Sequence, residues 1–152
     1  MKYLIAGTGG VGGSIAGFLS LAGKDVTCIA RGAHLQAIQT NGLKLKSDLK
    51  EEHTLAIPAT TAEEFNGKAD VIFVCVKGYS LDDTIPFIRS AAGEKTVVIP
   101  ILNIYGTGRT MQAQLPGLLV TDGCIYISSN LAAPGVIQRH GSIFRVIFGT
   151  PD

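Results

Sequence analysis

Three glycines near the start of the chain have the spacing of a nucleotide-binding loop. Gly7, Gly9 and Gly12 form a Gly-x-Gly-x-x-Gly pattern between the apolar run 2–6 and apolar residues that recur at helical spacing. In this context the glycines permit a tight turn, close approach of a pyrophosphate and close helix–strand packing. The pattern predicts a dinucleotide site at a positive helix end, and the alternative is an ordinary strand-to-helix turn. The predicted contact residues are Gly7, Thr8, Gly9, Gly10, Val11 and Gly12.

The second predicted strand, residues 25–30, ends at a basic residue. Sites that prefer NAD usually place an Asp or Glu about 20 residues beyond the glycines, where it holds the ribose 2′-hydroxyl. This chain has Arg31 there, followed by Gly32. A guanidinium can pair with a 2′-phosphate through two hydrogen bonds and can stack on adenine. The sequence therefore favours NADP(H) over NAD(H), and the alternative is a surface arginine at a helix entrance.

Two further polar residues follow predicted parallel strands. Lys77 comes directly after the apolar run 71–76, and Asn103 directly after the run 96–102. Ligands of open α/β sheets bind beyond the carboxyl ends of the strands. Lys77 is therefore placed for a phosphate or ribose, and Asn103 for a carboxamide or a substrate carbonyl. The alternatives are a solvated lysine and an asparagine that caps the next helix.

The periodicity of the chain predicts the elements that carry these residues. Strands alternate with helices in the pattern of an α/β fold, a Rossmann-type, doubly wound, mostly parallel sheet with a C-terminal β-hairpin. The segments 43–46 and 54–58 predict a hairpin at the rim of the sheet, and residues 128–130 a loop. The predicted helices are 11–22, 33–40, 60–65, 80–92 and 105–115, the sixth strand is 118–127, and the terminal hairpin is 136–140 with 142–148, hinged at Gly141.

Composition limits the classes of partner. Thirteen Lys and Arg residues against twelve Asp and Glu give a net charge of +1 without a basic stripe, which argues against nucleic acid. The apolar runs are too short for a membrane span and the N-terminus lacks a signal-peptide layout, so we expect a cytoplasmic protein without a membrane partner. Charged residues make up only 16% of the chain, which suggests that part of its surface is normally covered.

The cysteines and histidines do not suggest a metal site. Cys28, Cys75 and Cys124 lie in apolar runs without a Cys-x-x-Cys spacing, so we expect buried, reduced thiols. His34 is expected on the exposed face of its helix, where it could touch the adenosine end of a nucleotide, although a solvated histidine fits better. His53 is expected at the surface. The sequence therefore predicts no metal ligands.

With these features combined, the chain resembles the ketopantoate reductase (2-dehydropantoate 2-reductase) family. The resemblance covers essentially all 152 residues and corresponds to the N-terminal half of that family. It is carried by residues 5–12, 30–31, 74–77, 102–103 and 135–137. Family members are NADPH-dependent reductases that make pantoate, a step towards pantothenate and coenzyme A.

The resemblance implies a role for each candidate residue. Residues 7–12 would hold the pyrophosphate, and Arg31 with Lys77 would hold the adenosine 2′-phosphate. Asn103 would lie near the nicotinamide and the 2-oxo acid substrate, and the loop at Asn130 would touch the cofactor through its backbone. Ile104 stands where the family often has glycine, which puts the shape of this loop and its substrate contact in question.

The resemblance also implies which functions lie elsewhere. The family places its catalytic lysine, its substrate-binding asparagines and a cofactor-clasping glutamate in a helical C-terminal domain. We therefore expect residues 1–152 to be an NADP(H)-binding domain, residues 149–152 a linker to that domain, and no catalytic residue in this chain, where no side chain has an evident general-acid role. The alternatives are a stand-alone NAD(P)-sensing module and a reductase of a related 2-oxo acid; a homodimer is left open.

Overall fold

A computed structural model describes residues 1–102 and 104–150. The elements in chain order are β1 (Lys2–Ala6), α1 (Gly10–Leu21), β2 (Asp25–Ile29), α2 (Gly32–Asn41), β3 (Leu43–Ser47), β4 (Glu52–Leu55), β5 (Ala59–Thr60), β6 (Ala69–Val74), α3 (Leu81–Ala91), β7 (Ala92–Pro100), α4 (Thr107–Gln114), β8 (Leu119–Val120), β9 (Asp122–Ala133) and β10 (Val136–Gly149). A single 3₁₀ turn, Gly78–Ser80, precedes α3.

Six strands form a parallel sheet in the order β5-β2-β1-β6-β7-β8. This is the strand order of the Rossmann fold, and it confirms the predicted fold class. Ala6 of β1 pairs with Ile29 of β2 on one side and with Val74 of β6 on the other. The carboxyl ends of these three strands therefore lie side by side, which brings the segments after them to one edge.

Both faces of this sheet are covered, and that is why its central strands are almost wholly apolar. On one face, Leu4 and Ile72 pack with Ile88 of α3 and Met111 of α4. On the other face, Ile5 and Phe73 belong to a cluster that α1, α2 and a second sheet complete. The parallel sheet is thus the middle layer of the molecule.

The second sheet contains four strands in the order β4-β3-β10-β9. The predicted hairpin of 43–46 and 54–58 forms, since Leu43 pairs with Leu55 in antiparallel β3 and β4. Its predicted place at the rim of the parallel sheet is wrong. β3 pairs instead with β10, where Lys44 lies opposite Val136, because the apolar face of the hairpin (Leu43, Leu45) packs towards α1 and the core.

The chain after residue 118 differs most from the prediction. The single strand predicted over 118–127 is divided: β8 closes the parallel sheet, and β9 begins two residues later in the second sheet. Ser128, Ser129 and Asn130 lie in β9 and not in a loop. The polar sequence of these residues predicted a loop, but it reflects the exposure of Ser128 and Asn130 to solvent on the strand.

The C-terminal hairpin exists, but its turn is not at Gly141. β9 and β10 pair in antiparallel fashion and are joined at Pro134-Gly135. Residues 136–149 form one long strand, and Gly141, with φ of +73°, lies at a register shift between His140 and Phe144. This irregularity bends the strand without reversing it.

The helix predicted over 60–65 is also wrong. Ala59–Thr60 is the edge strand β5, and a single turn follows in which the Glu64 N–H donates to the Thr61 hydroxyl oxygen at 3.1 Å. The threonine thus caps a turn that is not extended into a helix. The other four helices all occur within two residues of the predicted bounds.

Candidate nucleotide-binding site

The glycine loop joins β1 to α1 and requires glycine for two different reasons. Gly7 has φ of +98°, a conformation that other residues rarely adopt. Gly12 lies so close to the loop that a Cβ atom there would be 1.9 Å from the Gly7 carbonyl oxygen. At Gly9, by contrast, a Cβ atom would meet nothing within 4 Å. The loop is therefore tightly packed on its inner side and open at Gly9.

The open side of the loop presents backbone donors. Gly9 is the N-cap residue of α1 and accepts the first helical hydrogen bond, from the Gly13 N–H at 2.7 Å. The N–H groups of the first turn have no partner inside a helix. The Gly9 N–H has no hydrogen-bond partner among the described residues either. This arrangement of free donors at a positive helix end suits an anion such as a pyrophosphate.

The side chain of Thr8 anchors the glycine loop to β2. Its side chain is buried, and its hydroxyl donates to the carbonyl oxygen of Ile29, the last residue of β2, at 2.8 Å. Thr8 can therefore serve a ligand only through the backbone. Its hydroxyl ties the loop to the strand that leads to Arg31.

His34 does not have the solvated position expected from the sequence. It is half-buried, and its Nε2 donates to the Thr8 carbonyl oxygen at 2.5 Å while its Nδ1 accepts from the Gly135 N–H at 2.8 Å. These partners are 26 and 101 residues away along the chain. No local pattern could have revealed them, because the spacing within α2 says nothing about contacts made by other elements.

Arg31 and Lys77 lie on either side of the glycine loop. Arg31 follows β2 by two residues and Lys77 follows β6 by three, and β1 lies between those strands. The two strands are about 10 Å apart at a spacing of about 4.8 Å per neighbour. Both side chains are exposed, and neither forms an ion pair or hydrogen bond within residues 1–102 and 104–150. Two uncompensated cations are thus available to an anionic group.

Asn130 reaches the loop through its backbone. A Cβ atom on Gly10 would lie 2.9 Å from both the Cα and the N atom of Asn130, so β9 rests directly on the first turn of α1. The Asn130 side chain is engaged elsewhere, because its Oδ1 accepts from His140 Nε2 at 2.8 Å. The structure therefore brings the Asn130 backbone to the edge of the predicted site, although from a strand.

Asn103 lies outside the described residues. The neighbouring residue Ile104 is 56% exposed. A Cβ atom on Gly78 would lie 2.6 Å from the Cδ1 atom of Ile104. The segments after β6 and β7 are therefore in contact beside Lys77. A cavity of about 330 Å³ opens next to Ile104, lined among others by Leu102, Tyr105 and Arg109.

Two of the three thiols are held in their protonated form by burial. Burial raises the pKa of Cys28 and of Cys75 to about 12, so both remain protonated at neutral pH. His53 is exposed on β4, as predicted. In the described part of the chain no three His, Cys, Asp or Glu side chains are grouped as a metal site would require. None of the helices described there is both long and apolar enough to span a membrane.

The residues present fit a dinucleotide. Gly9 leaves space that a side chain would fill, and the first turn of α1 supplies backbone N–H donors. The exposed side chains of Arg31 and Lys77, which have no partner among the described residues, lie at the strand ends beside it. An acidic residue that would repel a 2′-phosphate is absent from the end of β2, where residues 30–32 are Ala, Arg and Gly.

Similar proteins were found by sequence and by structure. A protein named 2-dehydropantoate 2-reductase from Mesorhizobium japonicum is 33% identical over all of this chain and 52% of its own length. An uncharacterised oxidoreductase of Bacillus subtilis, YkpB, is 32% identical over 98% of this chain and 48% of its own length. The chain thus spans about half the length of these relatives.

The solved structures agree with these relatives. The crystal structure of 2-dehydropantoate 2-reductase from Porphyromonas gingivalis W83 has a TM-score of 0.88 at 34% identity and covers 100% of this chain and 56% of its own. A ternary structure of D-mandelate dehydrogenase with NADH and anilino(oxo)acetate has a TM-score of 0.85 at 26% identity over 93% of this chain and 46% of its own. The sequence profile of the family described as ketopantoate reductase PanE/ApbA matches residues 3–152. The chain belongs to the ketopantoate reductase family.

Proposed function

We propose that residues 1–152 are the NADP(H)-binding domain of an oxidoreductase that reduces ketopantoate to pantoate. The observation that carries the nucleotide assignment is the open Gly9 position at the N-terminus of α1, with the unpaired Arg31 at the end of the adjacent β2. The relatives named 2-dehydropantoate 2-reductase support the choice of substrate.

Each group of residues would contribute differently to binding. Backbone N–H groups of residues 9–12 would hold the pyrophosphate, and Arg31 and Lys77 would share the 2′-phosphate from opposite sides of β1. Asn103 would orient the nicotinamide or the 2-oxo acid. The bound cofactor supplies the hydride, while the protein must place the substrate against it.

A reductase of a related 2-oxo acid is the second candidate. The D-mandelate dehydrogenase relative was solved with NADH, so neither ketopantoate nor NADP(H) follows from the fold. Arg31 is the feature that favours NADP(H) in this chain. A stand-alone NAD(P)-sensing module would share the same loop and needs only binding.

The cofactor assignment is tested by titrating the 152-residue chain with NADPH and NADH. The chain contains no tryptophan, so the fluorescence of the reduced nicotinamide can be followed without protein background from that residue. We expect tighter binding of NADPH, and we expect Arg31→Ala to remove most of the difference, about tenfold for a charge-assisted hydrogen-bond pair.

Arg89→Ala serves as the matched control, because Arg89 lies in α3 and its guanidinium donates to the Gln114 carbonyl oxygen. It should leave both affinities unchanged. A clear preference of the unaltered chain for NADH would refute the role of Arg31.

The substrate is tested with a polypeptide extended to the length of the relatives. Ketopantoate and a panel of other 2-oxo acids are offered with NADPH, and the oxidation of NADPH is followed by the loss of its near-ultraviolet absorbance. We expect ketopantoate to be reduced by the extended protein, and no appreciable turnover by residues 1–152 alone. Oxidation with another 2-oxo acid but not with ketopantoate would favour the second candidate, and binding without turnover of any substrate would favour the sensing module.

A further inference from the structure

We propose that His34 is a positioning residue of the nucleotide site, which sets the direction of the Gly9 N–H. The inference rests on the proposed function, since it concerns how the glycine loop would receive the pyrophosphate. His34 is the third residue of α2 and lies three residues after Arg31. It therefore connects the helix at the 2′-phosphate end of the site with the loop at its centre.

The two hydrogen bonds of the imidazole define its tautomer. The Thr8 carbonyl oxygen can only accept, so Nε2 carries the hydrogen. The Gly135 N–H can only donate, so Nδ1 is the unprotonated nitrogen. A neutral ring with hydrogen on Nε2 satisfies both partners. Nε2 binds the glycine loop, and Nδ1 binds the turn at Gly135.

The bond to Thr8 determines where the next donor points. The peptide between Thr8 and Gly9 is trans, so its C=O and N–H groups point in opposite directions. Because the C=O is held by His34, the Gly9 N–H points away from α2. Gly9 itself borders open space, since a Cβ atom on it would meet nothing within 4 Å. The Thr8 hydroxyl is bound to the Ile29 carbonyl oxygen, so Thr8 is held through both its side chain and its backbone.

The bond to Gly135 ties α2 to the turn that follows β9. Gly135 forms the turn between β9 and β10, has φ of +77°, and lies so close to α2 that a Cβ atom there would be 2.8 Å from the Ala37 Cβ. Its carbonyl oxygen accepts from the Lys44 N–H at 2.8 Å. β9 in turn carries Asn130, whose backbone rests on Gly10. One imidazole therefore links the glycine loop to the strand that packs on it.

The test compares His34→Leu with His34→Gln in the 152-residue chain. Glutamine has one donor and one acceptor and can replace both bonds, whereas leucine keeps the bulk and replaces neither. The probes are NADPH and adenosine 2′-monophosphate, which has no pyrophosphate. We expect His34→Leu to weaken NADPH binding about tenfold and 2′-monophosphate binding less than about twofold, and His34→Gln to recover most of the NADPH affinity.

The outcomes separate this proposal from the proposed function. If the unaltered chain binds no NADPH, both fall. If the unaltered chain binds NADPH, three results for His34→Leu would refute the positioning role alone. These are an unchanged NADPH affinity, an equal loss of affinity for both probes, and an NADPH affinity equal to that of His34→Gln. Should the leucine variant fail to fold, His34→Asn replaces it, because asparagine is one methylene shorter than glutamine and cannot reach both partners. Gln and Asn variants with equal NADPH affinities would then overturn the proposal.

Discussion

At the level of single residues, the glycines of one loop belong to a single sequence pattern but differ in their structural roles. Gly12 is a packing residue, because its Cα lies against the Gly7 carbonyl. Gly9 is open, since a Cβ atom there would meet nothing within 4 Å. The sequence pattern treats these positions alike, whereas the structure separates a position that the fold requires to be glycine from one that it leaves open.

A pair of alanine substitutions tests this separation. Gly12→Ala should lower the free energy of unfolding by about 3 kcal/mol, because the backbone contact at this position cannot relax without moving the helix. Gly9→Ala should change it by less than about 0.5 kcal/mol, since φ there is −86° and the space is empty. NADPH affinity should nevertheless fall about tenfold in Gly9→Ala.

Urea unfolding and NADPH titration of both variants provide the measurements. A Gly9→Ala protein that binds NADPH as tightly as the unaltered chain would show that the pyrophosphate does not approach Gly9. A fully stable Gly12→Ala protein would show that the helix can move away from the loop.

At the scale of the element, α1 is the structural link between the two sheets. Its glycine-rich face permits the second sheet to approach closely, and Gly13 lies so near β10 that a Cβ atom would be 2.6 Å from the Ile137 Cγ1 and Cδ1. Gly17 has a similar contact with Leu45 of β3, at 2.9 Å. The glycines that the sequence pattern assigned to nucleotide binding thus continue into glycines that assemble the fold.

The contact between α1 and β10 can be tested by a double-mutant cycle. Gly13→Val should destabilise the chain by about 2–3 kcal/mol through overpacking. Ile137→Ala should cost about 2–5 kcal/mol, because Ile137 is fully buried. The double variant should be more stable than the sum of the two losses predicts, by about 1 kcal/mol or more, since the shortened side chain makes room for the valine. Additive losses in urea unfolding would mean that the two residues do not compete for the same space.

At the scale of the whole molecule, the buried thiols couple global stability to pH. Cys28 lies in β2 and Cys75 just beyond β6, and both contribute to the apolar cluster between the parallel sheet and the second sheet. Burial, the larger cause in both, raises their pKa from 9.0 to about 12. The unfolded chain therefore releases these protons at a lower pH than the folded chain does.

The sign of the effect follows from this difference. A raised pKa in the folded state contributes stability that is complete below pH 9.0 and is lost as the pH rises towards about 12. We expect the free energy of unfolding, measured with urea at pH 8, 9, 10 and 11, to decline across this range. The Cys28→Ala/Cys75→Ala variant should be less stable at pH 8 but decline less steeply. Equal slopes would show that the thiols are not the groups responsible.

The parallel core of this protein can be predicted from its local sequence. Apolar runs of strand length and helical periodicity between them identified β1, β2, β6 and β7, because residues buried on both faces of a sheet must be apolar along their whole length. The Gly7–Gly12 pattern, Arg31 and Lys77 could be selected as candidates for a similar reason. Their positions depend on the ends of those same strands, and such ends are visible in the local sequence.

The packing of the second sheet on the candidate site depends on contacts between distant parts of the chain. Residues 128–130 became a strand because β9 pairs with β10 and rests on Gly10, and His34 lost its predicted solvated position because its ring is bound by residues 26 and 101 positions away. Contacts of this length depend on the packing of separate elements, and no periodicity within one element records them. The candidate residues of the loop can therefore be selected from the sequence, whereas their long-range partners become visible only in the folded chain.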